Sequence, residues 1–229
     1  AFIHLDAHPK VRVTTCDAKY WKQRKRDRPD THQVRQTANA THAYNRKAEV
    51  DWLIHMDVDE FLVSDRSVAD ILADPTFGAY LKGGFLSHLA GKVFVRTGLP
   101  NIHVRIHNVF QNGQMLDCHD RQDGIDLAHA HAKSWDDWIA AYRYRVTKGS
   151  YRPELGPNKP YEKGGLSMHD LFQMIEGESG EAGLRAFFDE VCADTPTLRR
   201  RLQAHGLLRE ADLDLDRLLS QHFPDFADV

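Results

Sequence analysis

Asp57 and Asp59 are spaced i, i+2, with Glu60 beside them, and they close an apolar run that begins at Trp52. Four to eight apolar residues bounded by polar sequence suit an interior strand. Side chains on a strand repeat every two residues, so the spacing predicts that both aspartates aim the same way. Two oxygen donors there suit a hard cation such as Mg2+ or Mn2+, and open α/β sheets hold ligands beyond the carboxyl ends of their strands. The competing reading is a turn whose acids cap the next helix. The apolar lead-in and the third acid favour a site.

A second cluster runs from Asp126 to Ser134 and contains His129, His131 and Lys133. On a strand these three share one face. Ser134, with Asp137 three residues on, predicts the start of a helix. Trp135, Trp138, Tyr142 and Val146 form its apolar stripe and read as core, and Gly149 suits its C-terminal cap. A strand-to-helix junction of this kind can present an anion with both Lys133 and the backbone N–H groups of the helix N-terminus.

Several elements must position these groups. Val11 to Thr15 reads as a short strand, and the basic stretch holding Lys19, Lys22, Arg24, Lys25, Arg26 and Arg28 reads as a solvated loop. Helix formers dominate from Asp30 to Val50, where Arg35, Gln36 and Asn39 can share a face. Ser67 and Asp70 predict a short helix ended by Pro75. Gly83 to Ser87, Gly91 to Thr97 and Ile102 to Phe110 read as strands between glycine and proline turns. Beyond Gly165 the pattern is helical, with starts at Ser167 and at Thr195-Pro196 and a stop at Gly206.

Composition bounds the function. The chain has 229 residues, with 30 Lys and Arg against 33 Asp and Glu and a net charge of -3, which gives no electrostatic case for nucleic acid. Cys16, Cys118 and Cys192 are odd in number and far apart, which argues against a disulfide framework and for a reducing, cytoplasmic setting. No stretch has the apolar length of a membrane span. The sequence opens Ala-Phe-Ile-His without Met, consistent with a missing upstream segment.

The order of these parts resembles the bacterial family 2-like glycosyltransferases of the GT-A fold. Four stretches carry the resemblance: His32-Gln-Val-Arg35-Gln36-Thr-Ala-Asn39, Asp57-Val-Asp59-Glu60-Phe61, Ser87-His88-Leu-Ala-Gly-Lys92-Val-Phe-Val-Arg96, and His129-Ala-His131-Ala-Lys133-Ser134-Trp135. It implies an α/β, Rossmann-like mixed sheet with flanking helices and a C-terminal helical extension. The catalytic domain would span residues 1–152, lacking roughly its first βαβ unit at the N-terminus, and the helical region would span 153–229.

The resemblance also implies a metal-dependent transferase of polysaccharide biosynthesis. It would move a sugar from a nucleoside-diphosphate donor, a UDP-sugar foremost, to a glycan or lipid-linked acceptor, with inversion. Mn2+ or Mg2+ would sit on Asp57 and Asp59 with His131 or His129. Arg35, Asn39, Asp57, Lys92, Arg96 and Lys133 would meet the nucleotide and its phosphates. Glu60, His88, Arg105 and His107 would line the same pocket, and Asp117, Asp120 and Asp123 stand as candidate bases for the acceptor hydroxyl. The setting would be cytoplasmic, with peripheral contact at the inner face of the membrane.

Two other classes stand beside this reading. An Asp-x-Asp after an apolar strand also occurs in phosphatases that use the first aspartate as nucleophile, and His-x-His occurs in metal-dependent hydrolases. A non-catalytic binding domain derived from the transferase fold is the third possibility.

Overall fold

The computed structural model describes residues 2–46, 49–73, 80–83, 91–116, 124–130, 132–157 and 159–224. In chain order its helices and strands are α1 (Phe2–Ala7), α2 (Ala18–Gln23), α3 (His32–Asn45), β1 (Trp52–Ile54), β2 (Glu60–Val63), α4 (Val68–Leu72), β3 (Tyr80–Gly83), β4 (Lys92–Arg96), β5 (Ile102–Val104), β6 (Val109–Gln111), β7 (Gln114–Met115), β8 (Asp126–His129), α5 (Trp135–Thr147), α6 (Met168–Val191), α7 (Pro196–Ala204) and α8 (Leu215–His222). The chain divides into two compact units, one formed by residues 1–129 with 211–229, the other by residues 130–210.

The first unit is α/β, with three small sheets. They run β1-β4-β3, β2-β8 and β5-β6-β7, and every described pairing is antiparallel. This differs from the mixed, Rossmann-like sheet expected from the sequence. Only β5, β6 and β7 follow one another through short returns, while β1 with β4 and β2 with β8 pair antiparallel across long stretches of chain. β1 lies at the edge of its sheet, with Trp52 opposite Arg96 and Ile54 opposite Phe94.

β4 organises two cores because its side chains alternate. Val93 and Val95 join Ala40 and Tyr44 of α3 with Ile102, Val104 and Val109, while Phe94 joins Ile71 and Ile125 on the other face. All three β4 side chains are buried. Burying each such side chain contributes about 1.5–3 kcal/mol. α3 is pinned to β5 by Thr41, whose hydroxyl accepts from the Val104 N–H at 3.0 Å and donates to the Val104 carbonyl at 3.1 Å.

Several sequence expectations need correcting. Val11 to Thr15 has no regular structure, and the basic stretch is in part a helix, α2, opened by the Asp17 carboxylate accepting from the Tyr20 N–H at 2.8 Å. The buried Trp21 explains why it folds onto the unit. Ile102 to Phe110 is a hairpin of two strands rather than one strand. The next turn, Asn112-Gly113, has both residues at positive φ, which matches the twist of a tight two-residue hairpin.

The second unit is helical, as the sequence predicts for its core. Ser134 caps α5 and Thr195 caps α7, and Ser167 and Asp170 form a reciprocal capping box on α6. α6 is interrupted at Gly180, whose φ of 57° departs from the helix. Trp138 and Tyr142 of α5 pack on Phe172, Leu184 and Phe188 of α6. Trp138 and Tyr142 lie nearly parallel, 5.5 Å between ring centroids, and Phe172 meets both edge-on.

Candidate functional site

The apolar run from Trp52 leaves its strand at Ile54, and Asp57 follows in a tight turn to β2. The turn is closed twice. The Glu60 N–H donates to the Asp57 carbonyl at 3.2 Å, and the Glu60 carboxylate accepts from the Asp57 N–H at 2.7 Å. Val58 stands at the apex, 98% exposed. A turn in place of a continuous strand gives the two aspartates different partners.

Asp57 faces a buried cation. Lys92, the first residue of β4, is 1% exposed, and its ammonium lies 2.9 Å from Asp57 Oδ2 and 3.0 Å from Glu60 Oε2. Gln36 of α3 donates to Asp57 Oδ1. Burial alone would raise the Asp57 carboxyl, but the hydrogen bond and charge of Lys92, the proximity of His55 and the Gln36 bond together hold it below its ordinary value. Both Asp57 oxygens are therefore engaged, one by Gln36 and one by Lys92.

Asp59 faces strand β8. Its Oδ2 lies 3.2 Å from His129 Nε2, because β2 and β8 pair with Glu60 opposite His129. The Asp59–His129 pair remains partly open to solvent. Nearby in sequence, His55 Nδ1 is buried with no hydrogen-bond partner among the described residues. Burial, then the positive charge of Lys92, lowers the His55 pKa.

The remaining sequence candidates are placed as follows. Arg35 donates to the carbonyls of Pro29 and Asp30, both at 2.8 Å, and so staples the loop before α3. Asn39 accepts from the Tyr20 hydroxyl and donates to Cys16 Sγ. Arg96 lies over the Trp52 ring at 4.3 Å, and Arg105 over the Phe110 ring at 4.3 Å. His107 Nδ1 is 2.9 Å from the Gly91 carbonyl. Arg105 and His107 line a cavity of about 550 Å³ with Arg26, Gln33 and His103.

Lys133 belongs to the helical unit, is 88% exposed, and sits 3.9 Å from Asp137. His88, Asp117, Asp120, Asp123 and His131 lie outside the described residues.

Sequence reading missed the partner of Asp57 and the part played by Gln36. The pairing of Lys92 with Asp57 spans 35 positions, which no local pattern reveals. Gln36 lies on the face shared with Arg35 and Asn39, so the helical periodicity pointed at it. His55, two residues before Asp57 in the same apolar run, was also open to notice.

Among the described residues no group of three or more His, Cys, Asp and Glu side chains converges as a metal cage. The Asp59–His129 separation does fit two ligands on one cation. Two bonds of about 2.1 Å at a right angle place their donor atoms about 3 Å apart. Mg2+ sites in particular use one or two protein carboxylates and leave other positions to water and substrate phosphates. No family model, curated protein or solved structure matches this chain.

Proposed function

We propose that this chain carries the metal- and donor-handling part of a nucleotide-sugar-dependent glycosyltransferase of GT-A type. It acts on a UDP-sugar or related donor, with a glycan or lipid-linked hydroxyl as acceptor and inversion at the sugar. The observation that carries the reading is the juxtaposition of Asp59 and His129 on paired strands, 3.2 Å apart and open to solvent, directly beside the turn that Asp57, Glu60 and Lys92 lock.

In this reading Asp59 and His129 are the protein ligands of Mn2+ or Mg2+. When bound, the cation supplies electrostatic stabilisation of the negative charge that builds on a departing diphosphate. Asp57, Lys92 and Glu60 act as positioning residues. Their buried ion cluster fixes the turn, so Asp59 is presented to His129 at small conformational cost. Asp57 suits this role better than that of a phosphatase nucleophile, because both its oxygens already accept hydrogen bonds and are less available for attack.

Mn2+ binding to this chain, measured by electron paramagnetic resonance of the free ion, tests the assignment. Asp59→Asn and His129→Gln should each weaken binding by about tenfold or more, the scale expected for changes at a metal's ligands and their immediate supports. Asp189→Asn, at a half-exposed acid of α6 paired with Arg185, serves as the control. Turnover of a UDP-sugar panel with Mn2+ should fall in the same two variants. Mn2+ affinity and turnover that are unchanged in Asp59→Asn would remove the metal role and return the acids to turn formation.

A further inference from the structure

We propose that the cleft between α2 and α3 binds a small phosphate-bearing anion without needing a metal. The cleft measures about 680 Å³ and is lined by Arg12, Arg24, Arg46 and His42, with Tyr20 and Asn39 between them. Among the described residues no aspartate or glutamate lines it. Asp17, the acid nearest in sequence to Tyr20, has its carboxylate committed to capping α2.

The arrangement is organised by the backbone. The turn after α2 passes through Lys25 at φ 53°, and the two arginines flanking it diverge. Arg24 enters this cleft, and Arg26 lines the other cavity along α3. Arg24 lies over the Tyr20 ring at 4.1 Å. A guanidinium stacked on a ring keeps its N–H edge in plane and available, the geometry that grips phosphate oxygens in pairs. Tyr20 is itself held by donating its hydroxyl to Asn39. The site is thus organised by side chains that have partners, and Arg12, Arg24 and Arg46 line it.

The charge balance points the same way. His42 is pushed below its ordinary pKa by burial and then by Arg24 and Arg46. Beside burial, the charges acting on it are the two guanidiniums, a local positive excess. A multiply charged phosphate oxygen cluster would compensate that excess. The concave shape suits a free small anion better than a headgroup in a flat lipid surface.

This inference does not use the proposed metal pair, since neither Asp57, Asp59 nor His129 lines the cleft, although Asn39, which the transferase resemblance assigns to the nucleotide, does. Isothermal titration calorimetry of this chain with inorganic pyrophosphate, in the presence of a chelator, tests it. Binding is expected, and Arg24→Gln and Arg46→Gln should each weaken it by about tenfold or more, the loss of one charge-assisted hydrogen bond. Arg46→Lys should fall between the wild type and Arg46→Gln. Asp59→Asn should bind pyrophosphate as the wild type does, so failure here and failure of the metal assignment are read separately. Circular dichroism confirms that each variant is folded. No pyrophosphate binding by the wild type, or binding unchanged in both glutamine variants, overturns the proposal. Arg24-dependent binding to phosphatidylglycerol vesicles without binding of pyrophosphate overturns the small-anion assignment.

Discussion

Replacing Lys92 by methionine tests the ion cluster most directly. The Lys92 ammonium sits 2.9 Å from Asp57 and 3.0 Å from Glu60. At an effective dielectric near 20, each contact is worth about 6 kcal/mol of attraction before desolvation. Desolvating the ions costs several kcal/mol each, so the intact cluster is close to balanced. Removing only the cation is different, because two carboxylates then face a site built for their partner. The expected loss is about 3–5 kcal/mol, a fall in melting temperature on the order of 10 °C. The pH dependence should change as well. Asp57 is held below its ordinary value of 3.8 in the wild type, so its contribution is present above that value and is lost as pH falls through the lower folded value. In Lys92→Met the largest lowering influence is gone and burial is opposed only by His55 and the Gln36 bond, so acid destabilisation begins at higher pH. Thermal melts across pH, with hydrogen exchange of residues 52–63, report both effects. Adding Asp57→Asn to Lys92→Met should recover part of the loss by removing one uncompensated charge. A single variant within about 0.5 kcal/mol of the wild type, or no recovery in the double variant, would refute the reasoning.

Two further perturbations probe the supports of each unit. Tyr142, buried and bonded to Glu176 at 2.7 Å, is pushed up to about 12 first by burial and then by that carboxylate. Ultraviolet titration should show a tyrosine ionisation in that range that is lost in Tyr142→Phe. Because the folded value is raised, the stabilisation is full below pH 10 and is lost as pH rises through about 12. Thr41→Val keeps the side-chain shape but removes both bonds to Val104, and should cost about 1–3 kcal/mol in chemical denaturation. A neutral result there would mean that α3 is held to β5 by apolar packing alone.

What was legible in the sequence was local. Ser134, Ser167 and Thr195 announce their helices because a cap needs only its own next three residues. The core positions of α5 followed from helical period, and β4 was read as a strand from its apolar run. What depends on distant pairing was not legible. Asp57 and Asp59 at i, i+2 read as one pair of ligands, whereas the turn sends them to Lys92 and to His129. The antiparallel order of the sheets was also hidden, since a short apolar strand reads the same in either direction. The helix inside the basic stretch was disguised by charge. Asp17 and Trp21 were its signals, a cap and an anchor among the surrounding lysines and arginines.

The first unit is discontinuous along the chain, and that has a consequence for how it is made. His8, just after α1, packs against His222 and Phe223 at the end of α8, at ring-centroid distances of 5.7 and 5.1 Å. On a ribosome the early residues emerge long before their last contacts exist, and the whole helical unit is synthesised in between. The helical unit, continuous in sequence and rich in local contacts, has everything it needs to fold first. The α1 end of the α/β unit stays uncovered until α8 arrives. Nascent chains arrested before Leu215 should therefore show a protease-resistant helical unit beside an N-terminal segment that is still cut.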